Sequence, residues 1–142
     1  MIQFQYQYPG FKLKTAIKIK AWLAAVARGE KKKISSLVYV FVNDEELLQI
    51  NRMALKHDYY TDIITFPYSY EPIESEIYIS VDRVADHASK YKVKAEEEMA
   101  RVMVHGLLHM CGYADKTKIE KKQMTEKEDY WLNKSKILKP FT

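Results

Sequence analysis

Cysteine is nearly missing from this 142-residue sequence: the single Cys111 excludes an internal disulfide, and nothing argues for an oxidising compartment. Long apolar runs are missing as well. No stretch approaches the roughly 18 uninterrupted apolar residues of a membrane span, so no membrane partner is expected. The opening residues Met1 to Tyr6 lack the basic head and apolar run of a secretion signal, and the cytoplasm is the expected location. Internal repeats and low-complexity tracts are absent. The length is that of one domain, residues 1–142, able to close one hydrophobic core but not two.

Excess charge of one sign is small, at +4, but it is unevenly spread. Between Phe11 and Lys33 stand Lys12, Lys14, Lys18, Lys20, Arg28, Lys31, Lys32 and Lys33 against one acid, Glu30. Lys134, Lys136 and Lys139 follow in the tail, while acids gather at Asp44-Glu45-Glu46 and Glu96-Glu97-Glu98. A solvated basic helix accounts for most of these lysines. A side that attracts phosphate backbones without reading sequence is the functional alternative. Composition does not choose between them.

What is present is a clear order of periodic segments. Ile2 to Tyr6 alternates as a strand does. Phe11, Ala16, Ile17, Ile19, Trp22, Leu23 and Val26 follow a helical pattern that Gly29 punctuates. Ser35 to Val42 is apolar and β-branched enough for a central strand. Asn43 with Glu46 opens a short helix whose apolar side is Leu47, Leu48 and Ile50, and Ala54 to Asp62 reads as a loop. Ile63 to Phe66 predicts a strand stopped by Pro67, then a connection to Glu74, then a strand over Glu76 to Ser80. Ser80 or Asp82 caps a helix to about Tyr91. The longest helical signal spans Lys94 to Cys111, with Met99, Val102, Met103, Gly106, Leu107 and Met110 on its inner stripe. Thr117 and Glu120 form a capping box for a last helix with Ile119, Met124 and Trp131 on its apolar side. The expected fold class is α+β, a small mixed sheet of about four strands packed with about five helices, one of them a zincin-like metal helix.

The chemistry concentrates at the end of the longest helix. His105 and His109 are four residues apart and therefore share a face, so both can aim a ring nitrogen at one ion. The pair alone is weak evidence, since packed or exposed histidines also fall at this spacing. Gly112 strengthens it, because glycine readily takes the left-handed conformation that reverses the chain and returns Asp115 towards the imidazoles. Two imidazoles and a carboxylate leave one corner of a tetrahedral Zn2+ open, the arrangement of catalytic sites, where the ion activates water. One ion per chain is expected. Zinc peptidases carry a glutamate directly after the first histidine; Gly106 stands there instead, which argues against a peptidase.

The segment His-Gly-Leu-Leu-His-Met-Cys-Gly-Tyr at 105–113 resembles the signature of the YbeY family of metal-dependent endoribonucleases. Asn51, Asp58 and Thr61 to Phe66 resemble its second block, and Glu76 to Ser80 its third, a likeness covering about residues 40–132. The resemblance implies a zinc-dependent endoribonuclease specific for single-stranded RNA, acting in ribosomal RNA maturation and ribosome quality control, with RNA and ribosomal proteins as partners. Two positions depart from the family pattern. Asp115 stands where the family usually has histidine; it lowers the charge of the site and predicts a more alkaline activity optimum, which Asp115→His tests through the pH–rate profile. Leu55 stands where the family has an arginine, flanked by Lys56 and His57; Lys56 would replace it as a point charge without the bidentate fork.

Lys56, His57 and Arg52 are thus the candidate RNA contacts, with simple solvation the plainer reading of His57. Asp62 is a candidate to orient a ligand histidine, or else a turn residue before a strand. Cys111 is taken as core. Tyr59, Tyr60, Tyr68 and Tyr70 are read as packing residues, with stacking on unpaired bases the alternative. Two rival functions remain open: an RNA-binding ribosome-assembly module with a structural metal, and a metal-dependent hydrolase of another substrate.

Overall fold

A computed structural model describes residues 1–135 of the protein; Lys136 and Lys139 of the basic tail lie outside the described residues. Its elements are β1 (Ile2–Tyr6), α1 (Ala16–Gly29), β2 (Ile34–Val42), α2 (Asp44–Leu55), β3 (Ile63–Tyr70), β4 (Ile73–Ser80), α3 (Val81–Tyr91), α4 (Ala95–Met110) and α5 (Lys118–Lys134). The strands form one mixed sheet in the order β1-β2-β4-β3. β1 and β4 flank β2 in parallel, and β3 pairs antiparallel to β4. The expected α+β class, with four strands and five helices among the described residues, is what forms.

Burial explains the layers. β2 sends Leu37, Tyr39 and Phe41 to one face of the sheet, where α1 and α4 cover them. Val40 and Val42 go to the other face, against Leu47 of α2 and Ile64 of β3. A strand covered on both faces is apolar at every step, which is why its sequence hardly alternates. α4 lies deepest: Met99, Val102, Met103, Leu107 and Met110 of its expected stripe are buried, and so are Ala100, Val104 and Leu108. The Tyr39 hydroxyl, fully buried, donates to the Met103 carbonyl at 2.8 Å. Gly106 lets this helix approach the sheet. A methyl group there would meet Ile77 Cδ1 at 2.9 Å and Ile63 Cδ1 at 3.1 Å.

Local signals near the helix ends hold. Asn43 Oδ1 accepts from the Glu46 amide, Ser80 Oγ from the Arg83 amide, and Thr117 and Glu120 cap each other reciprocally. Several boundaries differ from expectation. α1 starts at Ala16, because Phe11 is drawn into a ring cluster with Tyr6 and Phe41. α2 runs on to Leu55 and ends where Lys56 turns left-handed. β3 does not stop at Pro67; it continues to Tyr70 and makes a tight hairpin into β4. Because β3 is an edge strand, a residue without an N–H is tolerated there, beside a register shift. Ile119 is 71% exposed rather than on the packed side of α5, whose buried residues are Met124 and Glu128. Among the described residues, no helix is long and apolar enough to cross a membrane.

Candidate metal centre

The exposed side of α4 carries His105 and His109 one turn apart, with ring centroids at 4.6 Å and planes at 84°. Beyond Cys111 the chain reverses at Gly112, whose φ is +107°. A side chain there would meet nothing within 4 Å, so conformation rather than space selects glycine. The reversal is held by the Gly112 amide on the His109 carbonyl at 3.0 Å and the Tyr113 amide on the Leu108 carbonyl at 3.1 Å. It brings Asp115 Oδ2 to 3.2 Å from His105 Nε2 and 3.4 Å from His109 Nε2. The three residues expected to converge do so.

Protonation decides what this cluster can hold. His105 Nδ1 faces Glu128 Oε2 at 2.6 Å, and His109 Nδ1 faces the Tyr113 carbonyl at 2.9 Å. Both partners only accept, so both Nδ1 atoms carry the proton, and in the neutral rings both Nε2 atoms present bare lone pairs. Those lone pairs lie 3.0 Å apart, with the Asp115 carboxylate against both. Three acceptors pressed together repel unless a cation sits among them. Separations of 3.0, 3.2 and 3.4 Å are at or a few tenths of an ångström below the edge of a tetrahedron around an ion at 2.0–2.2 Å, which is about 3.4 Å. The cluster can therefore hold a metal ion. For His105 in the bare cluster, burial depresses the pKa, but the carboxylates of Glu128 and Asp115 outweigh it and hold the imidazole above its ordinary value.

Each imidazole is fixed from behind. Glu128 of α5, almost fully buried, bridges His105 to Arg101, whose guanidinium donates to Glu128 at 2.9 Å and to Asp129 at 2.6 Å. On the other side, the Tyr113 hydroxyl donates to Glu30 Oε1 at 2.7 Å. Glu30 Oε2 in turn accepts from Trp131 Nε1 at 2.9 Å and from Lys127 at 3.1 Å. Such partners fix the tautomer and aim the ring. Sequence reading assigned none of this to Glu128, yet a signal existed. Glu128 shares the face of α5 that buries Met124 and carries Trp131, and an acid on an apolar stripe needs a partner.

The centre opens into a groove of about 870 Å³. One wall is His105, His109 and the Gly112–Lys116 turn; the other is β3, with Leu55, Thr61 and Asp62 at its head. Asp62 lies in the groove, but its ion-pair neighbour is His87 at 3.8 Å, and the hydrogen bond expected of it is made by Glu128. Lys56, His57 and Arg52 do not line the groove; all three are exposed, Arg52 on the last turn of α2 and Lys56 and His57 where the chain leaves it. Arg52 is paired with Asp58, and the His57 ring stacks on Tyr59. Cys111 packs against the core as expected, and burial pushes its thiol up to about 11. Tyr59, Tyr60, Tyr68 and Tyr70 are each about half exposed, so they are not core packing residues.

Comparison with known proteins places these features in one family. Residues 3–136 match the family described as Endoribonuclease YbeY. The chain belongs to the YbeY family. It is 48% identical to the Endoribonuclease YbeY of Cytophaga hutchinsonii over 129 residues, covering 89% of this chain and 90% of that protein. It is 42% identical to the Flavobacterium psychrophilum protein of the same name, covering 91% and 92%. The solution structure of TM1509 from Thermotoga maritima is similar at a TM-score of 0.72 and 26% identity, covering 95% of this chain and 89% of that one. The carboxylate of Asp115 occupies the third corner of the cluster, and Leu55, 41% exposed, lines the groove.

Proposed function

We propose that this YbeY protein is a metal-dependent endoribonuclease that holds one zinc ion on His105, His109 and Asp115 and cuts single-stranded RNA in ribosomal RNA processing and ribosome quality control. One observation carries the reading: two Nε2 lone pairs and a carboxylate oxygen converge within 3.4 Å while both Nδ1 protons are committed elsewhere. The donor set, two imidazoles and one carboxylate, suits zinc and leaves a corner facing the groove. When bound, the ion would supply Lewis acidity to a water and to the scissile phosphate. The residues do the rest. Glu128 and the Tyr113 carbonyl keep both rings in one tautomer, Gly106 seats the helix on the sheet, and the β3 wall bounds the channel in which a strand lies. The relatives named Endoribonuclease YbeY support RNA as the substrate; the cytoplasm and ribosomal proteins are the setting we infer for it.

Leu55 favours one other reading, an RNA-binding assembly module whose ion is structural, because an aliphatic group replaces the family's guanidinium in the groove. Both readings are tested on protein purified without chelator or affinity-tag histidines. We expect about one zinc per chain by mass spectrometry, and cleavage of single-stranded RNA that is lost together with the metal in His105→Ala. Zinc at full stoichiometry without cleavage would favour the assembly module. Undiminished cleavage in a folded, metal-free variant would end both.

A further inference from the structure

We propose that the open end of the metal groove is a subsite for single-stranded RNA, where one unpaired base stacks on Tyr70 and the adjoining backbone crosses to Lys31 and Lys33. The proposal rests on the endoribonuclease reading and specifies the path of its substrate.

The β3 strand supplies the first observation. Ile63, Thr65 and Pro67 face the groove in alternation, as a period of two requires, and Ser69 would come next. Instead the register with β4 shifts between Pro67 and Ser69, and Tyr70 lines the groove in its place. A bulge of this kind re-aims a side chain. Tyr70 is 54% exposed. The hydroxyls of Tyr59, Tyr60 and Tyr68 bond to His57, Glu45 and Glu76; among the described residues that of Tyr70 bonds to nothing. A ring turned over a groove and held by no partner is a platform, and every unpaired base has a face to lay on it.

The basic bend supplies the second. After α1 the chain passes through Glu30 to Lys33 into β2, and the Lys33 carbonyl accepts from the amide of Ile73, the partner of Tyr70 across the hairpin. Bend and ring therefore lie at the same end of the sheet. Lys31, Lys32 and Lys33 border a second depression of about 410 Å³ with Glu71 and Pro72, immediately beyond Tyr70 in the chain. A third, of about 540 Å³, continues past Lys32 and Lys33 to Arg28 and Lys20. Only Lys32 is neutralised, by Glu71 at 3.0 Å; Lys31 and Lys33 are exposed and have no ion-pair partner among the described residues. Lysines past a helix C-terminus are favoured by its dipole, which explains their presence there. It does not explain a run of cations that begins where the aromatic rim of the metal groove ends. A polyanion with accessible bases fits both features, whereas a duplex offers no free base face.

The test is fluorescence anisotropy of a labelled 2′-O-methyl oligouridine, about a dozen nucleotides long, titrated with the full chain and checked for integrity on a gel. Tyr70→Ala and Tyr70→Leu should each bind about tenfold more weakly, and Tyr70→Phe like the parent, because stacking needs the ring and not the hydroxyl. Replacing both Lys31 and Lys33 with alanine should reduce the slope of log affinity against log salt by about 1.4, two phosphates at about 0.7 each. Tyr70→Leu that binds like the parent, an unchanged salt slope in the lysine variant, or a duplex that competes as well as the single strand would overturn the subsite and leave the endoribonuclease reading standing. A parent chain that binds no RNA at all would overturn both.

Discussion

The two walls of the groove are built on opposite terms. Behind the metal wall lie partly buried polar chains, Glu128 with Arg101 on one side and Tyr113 with Glu30 on the other, each ending on an imidazole. The chain that leads into the facing wall is exposed at every residue from Arg52 to Tyr60. It hangs on few bonds: the buried Asn51 amide donates to the Tyr59 carbonyl at 2.9 Å, and the Asp62 carbonyl accepts from Ser80 at 2.9 Å. An ion tolerates little displacement of its donors, so their supports run through two carboxylates, Glu128 and Glu30, that are largely shielded from water. A wall that receives a flexible chain gains from freedom to adjust.

The strongest way to break this contrast is Glu128→Ala. The change leaves the Nδ1 proton of His105 without its acceptor and Arg101 with Asp129 alone, in a place only 7% exposed before truncation. On the proposed reading, zinc affinity should fall about 10- to 100-fold. Breaking the pair should also cost about 3 kcal/mol in urea unfolding, the lower end for buried pairs because a third of the Arg101 side chain still reaches water. Glu128→Gln keeps an acceptor for His105 and should lose less of both. Parent-like zinc affinity in Glu128→Ala would mean that the imidazoles need no support from α5.

On the opposite wall the corresponding test adds a group. Leu55→Arg places a guanidinium at the head of the groove, where it can reach a phosphate with two parallel donors. One such contact is worth about 1.5 kcal/mol or more, so kcat/KM for RNA cleavage should rise about tenfold. Lys56→Ala, by contrast, should change little, because Lys56 lies outside the groove. If Leu55→Arg leaves cleavage unchanged while Lys56→Ala lowers it, the loop grips RNA from its exposed side and the division of labour is reversed.

This division also separates what the sequence made legible from what it hid. The metal wall could be read because its parts are local. A four-residue step stacks two histidines, and one glycine turns the chain back towards them within a few residues. Glu128 stayed hidden because its meaning depends on how α5 packs against α4, 23 residues away in sequence from His105. Pro67 was read as a stop because edge position is a property of the sheet and not of the strand. The stretch from Ala54 to Asp62 has no period at all, so Lys56, His57 and Arg52 are nominated only by their charge and their nearness to Leu55, and neither says which way a side chain turns. Tyr70 belongs to the same class: only the register shift reveals where its ring points.

A smaller effect tests how tightly the metal wall is seated. Gly106→Ala puts a methyl 2.9 Å from Ile77 Cδ1 and 3.1 Å from Ile63 Cδ1. Both are ends of isoleucine side chains that can shift a little, so overpacking should cost about 1–2 kcal/mol in urea unfolding rather than abolish the fold. Because the displaced helix carries His105 and His109, zinc affinity should fall with stability. A loss of stability with unchanged affinity would show that the imidazoles follow α5 and the Gly112 turn rather than the seat on the sheet.

The smallest effect concerns the other support, and it has a sign fixed by ionisation. Burial raises the pKa of Glu30, but hydrogen bonds from Tyr113, Trp131 and Lys127 outweigh it and hold the carboxyl below its ordinary 4.5. A carboxylate depressed in this way contributes stability that is complete above the unfolded value and is lost as pH falls through the folded one. Stability of the parent should therefore drop below about pH 4.5 more steeply than that of Glu30→Gln, while near neutral pH the variant is the weaker of the two. Urea midpoints at the two pH values measure the difference, and parallel curves would remove Glu30 from the account. If the curves diverge as expected, the Tyr113 turn that aims His109 is secured by an ionised group, and the metal wall is held by charge from both sides.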